Sequence, residues 1–212
     1  MPKTLLLCAC LFGGAFFLPA QDGRINFNVG GGVGVPLNPT AQFAGVGGAF
    51  SFGVGENLSQ HNAVIGEFLW HGLPPTVNIK TQLAGGRASS NLIALTANFR
   101  HSRDFGPKLG WYVTVGGGWY YRHTSISQQA NVPVVCTPVY TWWGYPCSGG
   151  YVVTLAEASS GASAPGADGG LGLTLRLSDS RWRFYIESRY AYAASHIVTT
   201  QIAPVTFGIA YR

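Results

Sequence analysis

Seven charged side chains in this sequence share a spacing rule that could gather them into one chemical site. Glu67, Arg100, Arg122, Arg176, Arg183, Glu187 and Arg189 all lie in segments where apolar residues alternate with small or polar ones. All seven occupy the small or polar parity. A period of two is that of a β-strand, whose successive side chains point to opposite faces. Carboxylates and guanidiniums collected on one face of a narrow interior can gate a pore or carry protons. They can also simply satisfy one another as bidentate Arg–carboxylate pairs. The packed interior of a small barrel favours this second reading. A second constellation is His123 and Ser125, two positions apart and so on one parity. A serine nucleophile needs a base within hydrogen-bond reach and a third group that orients the base. Glu157 reaches that third place only by an excursion of its loop. A third feature is the pair Cys136 and Cys147, 11 positions apart. In an exported chain two such cysteines pair as a disulfide. A metal site would want further Cys or His ligands beside them, so no metal and no cofactor is expected.

The elements that must hold these residues repeat along the chain. Eight alternating segments run over Ile25–Val35, Val46–Val54, Val64–Trp70, Leu92–Arg100, Trp111–Arg122, Gly170–Leu177, Trp182–Tyr192 and Val205–Arg212. The fifth is the clearest: Trp111, Val113, Val115, Trp119 and Tyr121 oppose Tyr112, Thr114, Gly116, Gly118, Tyr120 and Arg122. About ten residues is the length of a tilted membrane strand, and eight is the smallest membrane barrel. Joins around Glu56–His61, Ser102–Lys108 and Ser178–Ser180 are short. The joins Gly72–Ser90, Thr124–Ala167 and Ala193–Ala203 are longer, with Ala158–Gly169 read as a flexible Ser/Gly/Ala tail. Short turns at one end and longer loops at the other are the asymmetry of an outer-membrane barrel.

Composition agrees. Of 212 residues only 10% are charged, against 47% hydrophobic and 13% aromatic, and 30 are glycine. An ordinary soluble domain is about 25% charged. Past residue 20 no apolar run reaches the roughly 18 residues that a membrane helix needs. Residues 1–20 read as a secretory signal peptide: Lys3, an apolar run from Leu5 to Leu18, then small Ala20 before polar Gln21. A lipoprotein anchor through Cys10 fits less well, because the apolar stretch before it is too short. Residues 21–212 form the barrel domain, with twelve cations and eight anions.

The parity sorting separates a membrane barrel from a soluble one. A soluble barrel points its apolar face inward and its charge outward. With that orientation this chain would show water mainly Gly, Ala, Thr and Asn, and bulky side chains would overfill the lumen. The opposite orientation puts apolar residues against lipid and small residues in the narrow interior. The charges then avoid lipid, where an Arg or Lys costs about 2–4 kcal/mol at the midplane. Aromatics at the segment ends (Trp70, Trp111, Trp119, Tyr121, Trp182, Tyr190, Tyr192, Tyr211) suit the two membrane–water interfaces. Stacking on nucleic acid is disfavoured, because the arginines lie on the parity opposite the rings.

With these features the chain resembles the small outer-membrane β-barrel superfamily of Gram-negative-type bacteria, which includes the outer-membrane protein A and X types. The resemblance covers residues 24–212. It implies an all-β, eight-stranded antiparallel up-and-down barrel in the bacterial outer membrane, surrounded by lipid and lipopolysaccharide. It also implies a last strand read by the barrel-assembly machinery. Val205, Phe207, Ile209 and Tyr211 match that alternating signal, and the chain departs from it by ending in Arg212 rather than an aromatic.

The function expected is non-enzymatic: a monomer with a structural or surface-interaction role through its loops. Tyr140, Trp142, Trp143 and Tyr145, inside the Cys136–Cys147 ring, are candidates to meet an unknown surface ligand or to sit in the interface. One alternative is porin-like passage of small solutes or hydrophobic molecules, although an eight-stranded lumen is too narrow for an open channel. Another is a lipid hydrolase resembling lipid A deacylases, using His123 and Ser125.

Overall fold

The structure, a computed structural model, describes residues 25–76, 87–132, 151–177, 180–194 and 199–212. Residues 1–20 and the loop residues Cys136, Cys147, Tyr140, Trp142, Trp143 and Tyr145 lie outside that set.

Eight strands form: β1 (Ile25–Pro36), β2 (Gly47–Asn57), β3 (Asn62–Leu73), β4 (Arg87–Phe105), β5 (Leu109–Val132), β6 (Tyr151–Arg176), β7 (Trp182–Ala193) and β8 (Thr200–Tyr211). Each pairs antiparallel with the next, and β8 closes on β1 through Phe27↔Tyr211 to Pro36↔Ile202. Closure removes the exposed sheet edges that an open sheet would leave over these rungs. Among the described residues no helix is long and apolar enough to cross a membrane. One 3-10 turn, Thr40–Gln42, lies between β1 and β2.

The alternation fixes which face is inside. In β7, Tyr185, Glu187, Arg189, Ala191 and Ala193 are buried, while Trp182, Phe184, Ile186, Tyr190 and Tyr192 are exposed. The same holds in β5, where Tyr112, Thr114 and Tyr120 are buried and Val115, Trp119 and Tyr121 exposed. Large apolar side chains thus cover the outside, the inverse of a soluble barrel. Two aromatic rows bound this belt. At the short-turn end Phe27 stacks on Tyr211 at 5.4 Å, and Trp182 meets both edge-on. At the long-loop end stand Trp70, Trp119, Tyr121, Tyr190 and Tyr192. Between the rows the outward parity carries no Asp, Glu, Lys or Arg in any strand.

Glycine on the inner parity makes room for buried tyrosines. A Cβ at Gly172 would overlap the Tyr112 ring, one at Gly30 would overlap the Tyr185 hydroxyl, and one at Gly166 would come within 2.7 Å of Tyr120. Gly172→Val is therefore expected to cost about 1–3 kcal/mol of overpacking, measured by equilibrium unfolding. Glycine is also required at Gly106, where φ is +74° in the turn from β4 to β5.

The strand bounds differ from the expectation at the long-loop end. Alternation alone places Thr124–Ala167 in a loop, yet β5 continues to Val132 and β6 begins at Tyr151. Ala158–Gly169, whose composition suggests a flexible tail, is strand. Over residues 159–167 small and hydroxylic residues sit on both faces, so no apolar alternation marks the pairing. On the other edge of β5, cross-strand hydroxyl contacts join it to β4: Ser89 with Ser125 at 2.8 Å and Ser90 with Thr124 at 3.4 Å. β6 meets β7 only from Gly166↔Ala193 onward. Among the described residues a blade of β4, β5 and β6 therefore extends past the ends of the other strands.

Candidate functional site

The lumen is filled in layers, and the central one is ionic. Arg189 on β7 reaches into the barrel and touches three carboxylates. Its Nη1 donates to Glu67 Oε2 at 2.7 Å and Asp168 Oδ2 at 2.8 Å, and its Nε donates to Glu187 Oε1 at 2.6 Å. Glu67 lies on β3, four strands around the barrel from β7, so the contact spans the lumen. Arg100 on β4 approaches Glu67 at 3.4 Å and Glu187 at 3.9 Å, with its guanidinium 4.5 Å from the centre of the Tyr112 ring. All five charged groups are buried.

Three carboxylates face two guanidiniums here, and neutral donors satisfy the remaining acceptor capacity. Asn98 Nδ2 donates to Glu67 at 2.6 Å and Asn28 Nδ2 at 3.3 Å. The Tyr112 hydroxyl donates to Glu187 at 2.6 Å, and the Tyr120 hydroxyl to Asp168 at 3.4 Å. A buried charge is tolerable only when paired and hydrogen-bonded in this way.

Of the seven predicted charges, Glu67, Arg100, Glu187 and Arg189 meet in this network, and three do not. Arg176 and Arg183 sit at the short-turn rim on Asp104, at 3.0 Å and 2.6 Å. They share the inner parity, but the two arginines lie too far along their strands to reach the centre. Arg212 extends the rim cluster by contacting Ser102 and the Gln60 carbonyl. Asp104 lies beyond the apolar belt, level with outward Arg103. The Arg183 hydrogen bond holds its carboxyl below the ordinary value, against a smaller opposing effect of burial. Arg122 lies toward the other end and donates to Thr200 Oγ1 at 3.4 Å.

Sequence reasoning misses two carboxylates. Asp168 falls in the Ser/Gly/Ala-rich stretch and Asp104 in the join that reads as a turn. Each can be found by continuing its segment's alternation: Asp168 shares parity with Gly170 and Gly172, and Asp104 with Arg100.

Above the ionic layer the lumen is closed by apolar packing of Leu69, Leu73, Leu92, Ala94, Tyr120, Ala191 and Ile202. Below it Tyr112, Tyr185 and Ala210 pack together. The interior is therefore layered rather than hollow. Among the described residues no cluster of His, Cys, Asp and Glu could hold a metal ion.

The hydrolase constellation is not assembled by the described side chains. The His123 ring stacks on Tyr121 at 6.4 Å, and the Ser125 hydroxyl bonds to Ser89. Glu157 pairs with Ser127 in the strand register, and its side chain is outside the described set. His71, near the long-loop end of β3, is buried in the lumen beside Gly34. Val205 and Phe207 on β8 point outward, and Ile209 and Tyr211 share their parity.

No family model matches the chain, and no curated protein matches it. Solved structures do. The chain is similar to neisserial surface protein A at 9% identity, over 88% of this chain and 96% of that one, with a TM-score of 0.57. It is also similar to Ail, the attachment invasion locus protein of Yersinia pestis, at 12% identity over 90% and 100% of the two chains, TM-score 0.49. A major outer membrane protein of Thermus thermophilus gives 10% identity over 88% and 98%, TM-score 0.49. The first of these likenesses bears on the fold, and it agrees with the strand order found here: a closed, eight-stranded, all-antiparallel β-barrel.

Proposed function

We propose that this protein is a bacterial outer-membrane barrel with a packed lumen and a non-enzymatic surface-interaction or envelope role. The observation that carries the reading is the belt. Trp111 and Tyr121 are ten residues apart on β5. That is about 33 Å at a strand rise of ~3.3 Å per residue, or about 25 Å of height at the usual ~40° tilt, which is the thickness of the apolar band of such barrels. A band of this height, whose nearest outward charge is Arg103 at its lower edge opposite Trp111, fits a hydrocarbon layer.

The orientation follows from the loops, with the short turns periplasmic and the blade outside. The layered lumen speaks against steady solute passage. Among the described residues the β4–β5–β6 blade extends furthest at the long-loop end, and it is the surface we assign to a partner outside the cell. No reaction is assigned to His123 and Ser125, whose side chains engage Tyr121 and Ser89.

The purified protein is expected to require detergent and to migrate differently on a gel with and without boiling. In planar bilayers it is expected to add no steady conductance above lipid alone. A deletion strain is expected to show altered surface attachment or envelope integrity. A detergent-free soluble monomer with unchanged migration would overturn the membrane reading. A stable open channel would overturn the packed-lumen reading.

A further inference from the structure

Beyond the surface role, the outer mouth of the barrel contains a cavity that neither the lumen network nor the blade accounts for. Its volume is about 340 Å³, at the small end of the range of ligand pockets, about 300–1,000 Å³. Phe43, Leu73, Leu92 and Ile126 supply apolar wall, and Arg122 and Thr200 are among the polar groups that line it. The strand register places Arg122 at the floor. It stands opposite Leu92 and Ala162, one inward step above Tyr120, which tops the ionic layer.

Arg122 is the odd residue of the interior. The other lumen arginines of the described strands each meet a carboxylate: Arg100 and Arg189 in the centre, Arg176 and Arg183 at the rim. Among the described residues Arg122 forms no ion pair, and its guanidinium donates to a neutral hydroxyl at 3.4 Å. A guanidinium at the bottom of an apolar cup is complementary to an anion that carries an apolar chain. The described strands end at different heights around the mouth. β7 ends at Ala193 and β8 begins at Thr200, while β5 and β6 remain paired as far as Val132↔Tyr151.

We infer that this cup binds a single-chain anionic amphiphile, a fatty-acid-type carboxylate, with its head on Arg122 and its chain against Phe43, Leu73 and Ile126. The volume suits one chain and excludes a multi-chain lipid. A charge-assisted hydrogen bond to the head (Arg N–H to carboxylate oxygen) supplies the selectivity, and apolar burial supplies affinity.

The test uses the full-length mature protein in phosphatidylcholine nanodiscs, with empty nanodiscs as background and radiolabelled dodecanoate as probe. Boiling-dependent gel migration is checked for every variant, so loss of the fold is separated from loss of binding. One equivalent of dodecanoate is expected to bind saturably above background. Dodecanol and butyrate, which lack the head charge and the chain respectively, are each expected to bind about tenfold more weakly or worse. Arg122→Gln is expected to reduce dodecanoate affinity by about tenfold or more, the loss of one charge-assisted contact, while leaving dodecanol unchanged. Ile126→Asp, at the wet end of the wall, is expected to weaken both chains. Binding no greater than in empty nanodiscs, or equal binding of dodecanoate and dodecanol that ignores Arg122→Gln, would overturn the inference while leaving the membrane barrel intact.

Discussion

Replacing Arg189 with leucine is expected to destabilise the folded barrel by about 3–5 kcal/mol, the cost of breaking a buried ion network by removing one partner. The size follows from geometry. Among the described residues Arg189 is the one group that touches Glu67, Asp168 and Glu187 together, at 2.6–2.8 Å. Without it Arg100 remains among the described residues, at 3.4 Å from Glu67 and 3.9 Å from Glu187, and it forms no ion pair with Asp168. Three buried carboxylates would then share one guanidinium. Equilibrium unfolding by urea in phospholipid vesicles, followed by tryptophan fluorescence and by boiling-dependent migration, measures the change. The double variant Arg189→Leu with Asp168→Asn should recover part of the loss, because it removes the carboxylate left with only the Tyr120 hydroxyl. A loss below about 1 kcal/mol, the range of exposed pairs, would mean that the lumen is hydrated enough to screen the network.

The barrel itself was legible because a belt of apolar side chains on one parity is a direct record of two different surroundings. Wherever the outer face meets an apolar medium and the inner face a narrow polar one, side chains must alternate, as Trp111 to Arg122 do. Where both faces are wet the contrast vanishes, and the signal with it: β5 past Ser125 and β6 before Gly166 are strand without alternation. The same loss hid Asp168, although it lies one inward step from Gly170. Parity showed that the charges face inward, but not at what height. Height depends on strand register. Register puts Arg189 opposite Gly170 on β6 and Glu67 opposite Thr96 on β4, and it sends Arg176 and Arg183 to the rim. Sequence spacing within one strand carries no such information about its neighbour.

A charge walked along the outer face of β5 is expected to give a depth-dependent penalty. Val115 lies between the aromatic rows and is 59% exposed, while Leu109 lies at the short-turn end and is 55% exposed. Both face outward to a similar degree, so their difference reports the surroundings and not the packing. In a bilayer Val115→Arg should cost about 2–4 kcal/mol and Leu109→Arg about 0–1 kcal/mol, because the penalty for Arg falls from the midplane to the interface. In water both would be ordinary surface substitutions, within about ±0.5 kcal/mol. Unfolding of the two variants in phospholipid vesicles therefore separates the two settings on one strand. Equal small effects would show that Phe52, Leu173, Phe184 and Phe207 do not face hydrocarbon, and the apolar belt would then need a protein partner to cover it. A gradient centred on Val115 would identify the solvent of this face as lipid, independently of any resemblance to other barrels.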